Sequence, residues 1–256
     1  MPRIKALQDA FKACRPAASH PQTPGQPRII LGKKATGTAA TRLGVLGGAY
    51  NPITLAHLAV AEAAMTHFGI DEVLFLLPQV PPHKTIFGAS LEQRLEMMRL
   101  AVEDVPHAAV GLSTHGLFVD MYEGLLAVYP QRPEVFFLTG RDAAERILAW
   151  HYDDAEAALK RMFDSFQFIV CSRQGPFTLP NDPLLTPYRH RIHSCELPPQ
   201  AGSGPPVDAI SATEVRERCE RGLAIDDLVP APVAAYIAAH GLYVAAPPIQ
   251  GTGPCT

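Results

Sequence analysis

No apolar run in the 256-residue chain approaches the roughly 20 residues that a bilayer-spanning helix needs, so a membrane-embedded protein is not expected. The N-terminus lacks the apolar core of a secretory signal, and a cytoplasmic location is the expectation. Five cysteines (Cys14, Cys171, Cys195, Cys219, Cys255) contain no CxxC pair and are odd in number, which excludes a disulfide framework or a cysteine zinc site. They read as scattered thiols of a reducing compartment. Among the ten histidines no HxxxH or similar spacing builds a metal site, so no metal ligands are expected. Nor does the net charge of −3 suit a general nucleic-acid binder.

What remains is a chain that is 47% hydrophobic, enough for the full core of one large domain with extensions. The charge is uneven. Residues 1–42 carry eight Lys/Arg against the single Asp9, a net of +7, which leaves −10 for the remainder. This basic stretch is Pro-, Ala- and Thr-rich after a short helix expected near Ile4–Ala13, and it reads as a flexible extension. The Pro/Gly-rich tail 245–256 reads the same way, which leaves 43–244 as the folded domain. Nothing in the sequence signals an oligomeric state.

The chain is organised around the stretch from Leu43 to Leu58. An apolar run ends at Gly47-Gly48, passes through Ala49-Tyr50-Asn51-Pro52, and enters helical spacing at Leu55, Leu58, Ala59 and Met65. A strand, a glycine turn and a helix N-terminus in succession make an anion site, because free N–H groups and the helix dipole favour negative charge. Thr54 and His57 lie three apart and share one face of that helix. The same residues also fit a plain Gly-Gly turn beside a structural histidine.

Beyond it, strand-like and helix-like segments alternate. Strands are expected at Glu72–Leu77, Ala108–Leu112, Glu134–Thr139, Phe166–Cys171 and Arg191–Cys195, and helices at Leu91–Val102 (with the capping box Ser90/Gln93), Val119–Tyr129 and Asp153–Phe163, with a further helix starting at Gly140. Such alternation predicts an α/β, Rossmann-like doubly wound parallel sheet with a C-terminal helical segment. Ligands of such sheets sit beyond the carboxyl ends of the strands, where Gly47-Gly48, Gly140–Asp142 and Ser172–Gly175 fall. A second anion site is expected at Ile210-Ser211-Ala212-Thr213-Glu214-Val215-Arg216. Ser211 and Glu214 form a capping box, and Thr213 and Arg216 share the first turn, although a well-capped surface helix would look alike.

Taken together, GGAYNPITLAH and ISATEVR resemble the GGxFxPxHxGH and ISSTxxR motifs of the nucleotidyltransferase superfamily, and of the nicotinate-nucleotide adenylyltransferase family in particular. Pro81-Pro82-His83-Lys84 resembles that family's PPHK loop, Gly140-Arg141-Asp142 its GAD, and Trp150-His151 its W-H/Y step. Ser172-Arg173-Gln174-Gly175 resembles its SRPG turn, and Ala235–Tyr243 its YIxxHGLY ending. The similarity spans about Leu43 to Val244. Four departures stand out: Thr54 replaces the first His, as in the related pantetheine-phosphate adenylyltransferases; Ala56 replaces Gly; Ala212 replaces a Ser; and Phe118-Val119-Asp120-Met121 replaces a Tyr-Thr-x-x-Thr segment.

The resemblance implies adenylyl transfer from ATP to a pyridine mononucleotide in NAD biosynthesis, with Mg²⁺ held mainly by ATP phosphates and water. It makes His57, Thr54 and Arg216 catalytic. It assigns ATP to Gly47, Gly48, Ala49, Tyr50, Asn51, Gly140, Asp142, Ile210, Ser211 and Thr213 as well as those three. It assigns the acceptor to Lys84, Phe118, Val119, Trp150, His151 and Arg173. Phosphopantetheine or nicotinamide mononucleotide as acceptor, or a nucleotide-binding protein with reduced turnover, remain as alternatives.

Overall fold

The computed structural model describes residues 26–33, 40–79, 88–149, 154–172, 175–197 and 205–244. One seven-stranded sheet organises them: β1 (Ile29–Lys33), β2 (Arg42–Gly47), β3 (Glu72–Pro78), β4 (Ala108–Ser113), β5 (Glu134–Gly140), β6 (Gln167–Ser172) and β7 (Ile192–Glu196). Their spatial order is β1-β4-β3-β2-β5-β6-β7. All pairs are parallel except β1 with β4, which is antiparallel. From β2 the chain runs outward through β3 to β4, then returns to the other side of β2 as β5. The switch point therefore lies between β2 and β5, where open α/β sheets place their ligands.

Seven helices cover the sheet among the described residues: α1 (Leu55–Phe68), α2 (Leu91–Ala101), α3 (Phe118–Val128), α4 (Arg141–Leu148), α5 (Ala155–Ser165), α6 (Ala212–Glu220) and α7 (Ala231–Ala239). Alternation along the strands divides the core in two. Leu46, Phe75, Val110, Phe136, Leu138 and Ile169 face α1, α2, α6 and α7, whereas Val45, Leu74, Leu76, Phe137, Phe168 and Val170 face α3, α4 and α5. Strands apolar on both faces are what a sheet covered by helices on both sides requires.

The sequence-based elements recur with boundaries moved by a residue or two. Ser90 caps α2 as expected: its Oγ accepts from Gln93 N at 3.2 Å and its own N–H donates to Gln93 Oε1 at 2.8 Å. Ser211 Oγ likewise accepts from Glu214 N at 3.1 Å, but the Glu214 carboxylate turns away to accept from Arg218 Nε at 2.8 Å, so only half of that box forms. Gly69 ends α1 in the left-handed region at φ 59°, where a side chain would be strained.

One expectation needs correcting. Residues 29–33 fall inside the stretch read as a flexible extension, yet they form β1. Over 42 residues Pro, Thr and Ala dominate the average and conceal the short apolar run Ile29-Ile30-Leu31. Ile29 is buried against Gly124 of α3, where an added Cβ would come within 3.2 Å of its Cγ1. The helix expected near Ile4–Ala13 and the tail 245–256 lie outside the described residues.

Candidate active site

The first motif leaves the sheet at the switch point. Gly48 N–H still belongs to the ladder, donating to the Leu76 carbonyl at 3.2 Å. The glycine matters here because a Cβ would meet the Tyr50 ring at 3.1 Å. Tyr50 folds back over it with φ 44°, is almost fully buried, and donates its hydroxyl to the Leu46 carbonyl. Burial pushes that phenol well above its usual pKa, so it stays a neutral donor.

α1 follows with Thr54 as its N-cap. Thr54 N–H donates to His57 Nδ1 at 3.0 Å, and Thr54 Oγ1 lies 2.8 Å from the same nitrogen. In the neutral ring, accepting at Nδ1 places the proton on Nε2. The Tyr50 ring flanks His57 at 5.0 Å between centroids. Two sequence-based ideas change here. Leu55 N–H donates to the Leu228 carbonyl and His57 N–H to the Thr54 carbonyl, so the first turn commits these donors within the chain. Thr54 is only 1% exposed, so its hydroxyl sets the orientation of His57 and is not open to a ligand.

The second motif comes to the first. Arg216 on α6 donates from Nη1 to the Asn51 carbonyl at 2.7 Å and to the Ala212 carbonyl at 3.0 Å, and from Nη2 to Thr213 Oγ1 at 3.1 Å. Residues 165 apart in sequence thus form one wall. Ile210 is fully buried beneath it, while Thr213 is exposed. Across the switch point, Gly140 ends β5 beside the first motif's strand, and exposed Asp142 opens a shallow groove with Glu145, Arg146 and Ala149.

At the start of α3, Phe118 turns its ring inward, edge-on to Phe137 at 4.8 Å and Phe168 at 5.4 Å. What Phe118 and Val119 present is backbone: both sit in the first turn of α3, whose N–H groups have no intrahelical acceptor. Lys84, Trp150, His151 and Arg173 lie outside the described residues.

Four residues emerge to which the sequence reading gave no site role. Arg94 of α2, 4% exposed, donates from Nη1 to the Ala49 carbonyl at 2.8 Å, and desolvation lowers its pKa. Tyr243 donates to Asn51 Oδ1 at 2.8 Å. His115, buried at the end of β4, has Nδ1 2.8 Å from Thr114 Oγ1. Arg141 reaches from Nη2 to Ser172 Oγ at 3.1 Å and to the carbonyls of Gly175 at 3.2 Å and Pro176 at 2.9 Å. The Arg94 signal was present in the sequence: a charge at i+3 of Leu91 and four before Met98 stands on the apolar face of α2. Cys171 and Cys195, expected as scattered thiols, are instead in register on neighbouring strands β6 and β7, both free and buried. Their mutual hydrogen bond and burial raise the Cys171 pKa.

A parallel sheet whose switch-point crevice joins a glycine turn bearing a histidine to a helix N-terminus bearing Ser, Thr and Arg defines a nucleotide-binding protein of the nucleotidyltransferase type. Residues 45–218 match the cytidylyltransferase-like family, and the chain belongs to it. Among its curated relatives, the probable nicotinate-nucleotide adenylyltransferase of Bordetella pertussis is 30% identical over 214 residues, covering 79% of this chain and 98% of that one. The protein of the same name from Moorella thermoacetica is 32% identical over 217 residues, covering 80% and 93%. The fold is shared with Plasmodium falciparum nicotinic acid mononucleotide adenylyltransferase, solved complexed with NaAD, at TM-score 0.59 and 19% identity over 79% of this chain and 97% of that chain.

Proposed function

We propose that the protein transfers the adenylyl group of ATP to nicotinate mononucleotide, forming nicotinate adenine dinucleotide and pyrophosphate. The observation that carries this most is the bond from Arg216 to the Asn51 carbonyl, which brings two phosphate-type motifs to one crevice. The relatives' names support the choice of acceptor.

In this reaction an oxygen of the acceptor phosphate bonds to the α-phosphorus of ATP while the bond from that phosphorus to the β-bridging oxygen breaks. The attacking phosphate is already anionic at neutral pH, so no general base is needed. Catalysis then reduces to positioning and charge stabilisation. His57, with Nδ1 occupied by Thr54 N–H, offers Nε2–H to the α-phosphate oxygens, and Thr54 holds the ring in that tautomer. Ser211, Thr213 and Arg216 bind the departing phosphates. Asp142 meets the adenosine ribose beside Gly140.

Among the described residues no group of three or more His, Cys, Asp or Glu could hold a metal ion. A Mg²⁺ carried on ATP needs no such group, since phosphate oxygens and water complete its shell.

The acceptor's ring carboxylate requires donors, and the N–H groups of Phe118 and Val119 at the start of α3 suit it regardless of side chain. Charge-assisted bonds of about 1.5–3 kcal/mol each give roughly ten- to several-hundred-fold preference over the nicotinamide analogue. The test follows pyrophosphate release with ATP, Mg²⁺ and either pyridine mononucleotide or 4′-phosphopantetheine. The nicotinate compound is expected to have the highest kcat/KM. Equal values for the two pyridines would mean a dual-specificity pocket. Turnover with phosphopantetheine alone would overturn the acceptor assignment, and no turnover with any of them would leave a binding protein.

A further inference from the structure

We propose that Tyr243, at the C-terminal end of the fold, is a positioning residue for ATP: its hydroxyl holds Asn51 of the phosphate loop, and its ring is held in turn by Gly88. The proposal rests on the reading of the first motif as an ATP site.

The loop 49–51 has its acceptors taken from three directions. Arg94 of α2 binds the Ala49 carbonyl, Arg216 of α6 binds the Asn51 carbonyl, and Tyr243 binds the Asn51 side chain. Only the last contact comes from beyond the final helix, across 192 residues of sequence. Tyr243 is 7% exposed and adopts φ 61°, a left-handed conformation uncommon for an aromatic residue. That backbone turns the ring inward between the loop and Gly88. Gly88 has φ 90°, and a Cβ there would lie 2.7 Å from Tyr243 Cδ1 and 3.0 Å from Cε1. No real Cβ tolerates the shorter distance, so the glycine is what lets the ring sit where its hydroxyl reaches Asn51. Burial keeps the phenol protonated and a donor.

A residue that merely packed would contribute stability without affecting ligand affinity. A residue that fixes the loop conformation contributes affinity, because a loop freed from its tie must be ordered again on binding. Tyr243→Phe removes one oxygen and keeps the ring, so the fold is preserved.

The experiment measures calorimetric Kd for α,β-methylene-ATP, together with the steady-state KM for ATP and for the acceptor, on four proteins: wild type, Tyr243→Phe, Gly88→Ala and the double variant. Tyr236→Phe serves as a control, since that ring stacks on His240 outside the site. Tyr243→Phe is expected to weaken ATP-analogue binding three- to tenfold and to raise the KM for ATP, leaving that for the acceptor nearly unchanged. Gly88→Ala should have a similar effect, and the double variant should be no weaker than Tyr243→Phe alone, because the methyl group then has no hydroxyl bond left to displace. Unchanged Kd in Tyr243→Phe, even with a lower melting temperature, overturns the proposal. So do additive effects in the double variant, which would mean Gly88 acts on its own. A wild type that binds no ATP analogue overturns the ATP-site reading, and the proposal with it; that result is distinct from a wild type that binds normally while Tyr243→Phe binds equally well.

Discussion

His57 and Asp71 show how differently two polar side chains can be used. The imidazole of His57 is oriented by Thr54 through Nδ1, which leaves the proton of the neutral ring on Nε2. His57→Ala is therefore expected to lower kcat by about 10²–10³ while changing ATP-analogue affinity little, since a donor aimed at developing charge acts mainly in the transition state. Single-turnover rates alongside calorimetry check this; a wild-type rate would make His57 structural. Asp71 is used within the chain. Its Oδ2 accepts from Thr41 N at 2.9 Å, Thr41 Oγ1 at 2.5 Å and Arg42 N at 2.8 Å, stitching the turn before β3 to the start of β2. These bonds, the Thr41 hydroxyl first, hold its carboxyl below the usual carboxylate pKa. A depressed folded pKa means stability that is present above the unfolded value of about 3.9 and lost as pH falls through the folded value. Solvent screening keeps the contribution near 1 kcal/mol. Asp71→Asn should accordingly lower Tm by roughly 2–4 °C at pH 7, with the gap to wild type closing as pH falls below the unfolded carboxylate value. A gap independent of pH would show that the shape of the side chain matters and its charge does not.

At the scale of elements, β1 is the instructive case. It lies antiparallel on β4, with Ile29 opposite Ser113, and the Arg28 carbonyl accepts from Thr114 N at 3.0 Å. It therefore covers an edge that would otherwise present the unpaired backbone of an apolar strand. Removing residues 1–25 is expected to leave melting temperature and turnover nearly intact, because that composition cannot build a core. Removing residues 1–33 also strips β1, and the lost Ile29 burial alone predicts a fall on the order of 5–10 °C. Thermal melts and light scattering on the two truncations distinguish them. Equal stability would mean β1 adds nothing to the sheet.

For the whole molecule, the topology predicts a gradient of stability. β2 sits between β3 and β5, buried on both faces, and carries the first motif at its end. β1 and β7 lie at the edges. Amide hydrogen exchange should find β2, β3 and β5 opening only with global unfolding, and β1 and β7 opening at lower free energy. Protection in β7 equal to that in β2 would refute the gradient. A loop anchored on a central strand can then keep its geometry while the edges of the sheet open.

The order of strands and helices was legible in the sequence, because apolar runs between glycine and proline signals report burial directly, and residues within one helical turn report their own neighbours. Thr54 with His57, Ser90 with Gln93, and Thr213 with Arg216 are all local pairs, readable at a spacing of three. β1 was not legible, since a three-residue apolar run inside a five-residue segment becomes a strand only if an uncovered edge exists to receive it. The partners of Asn51 were not legible either. Arg216 is 165 residues away and Tyr243 is 192, and only the closing of the sheet and the return of the C-terminal helices decide that they meet. The same holds for Cys171 with Cys195, which strand register alone makes neighbours. Local chemistry determined which polar groups stand together at the two helix N-termini; tertiary packing decided which carbonyls and N–H groups were already engaged within the chain, and so what the candidate site has to offer.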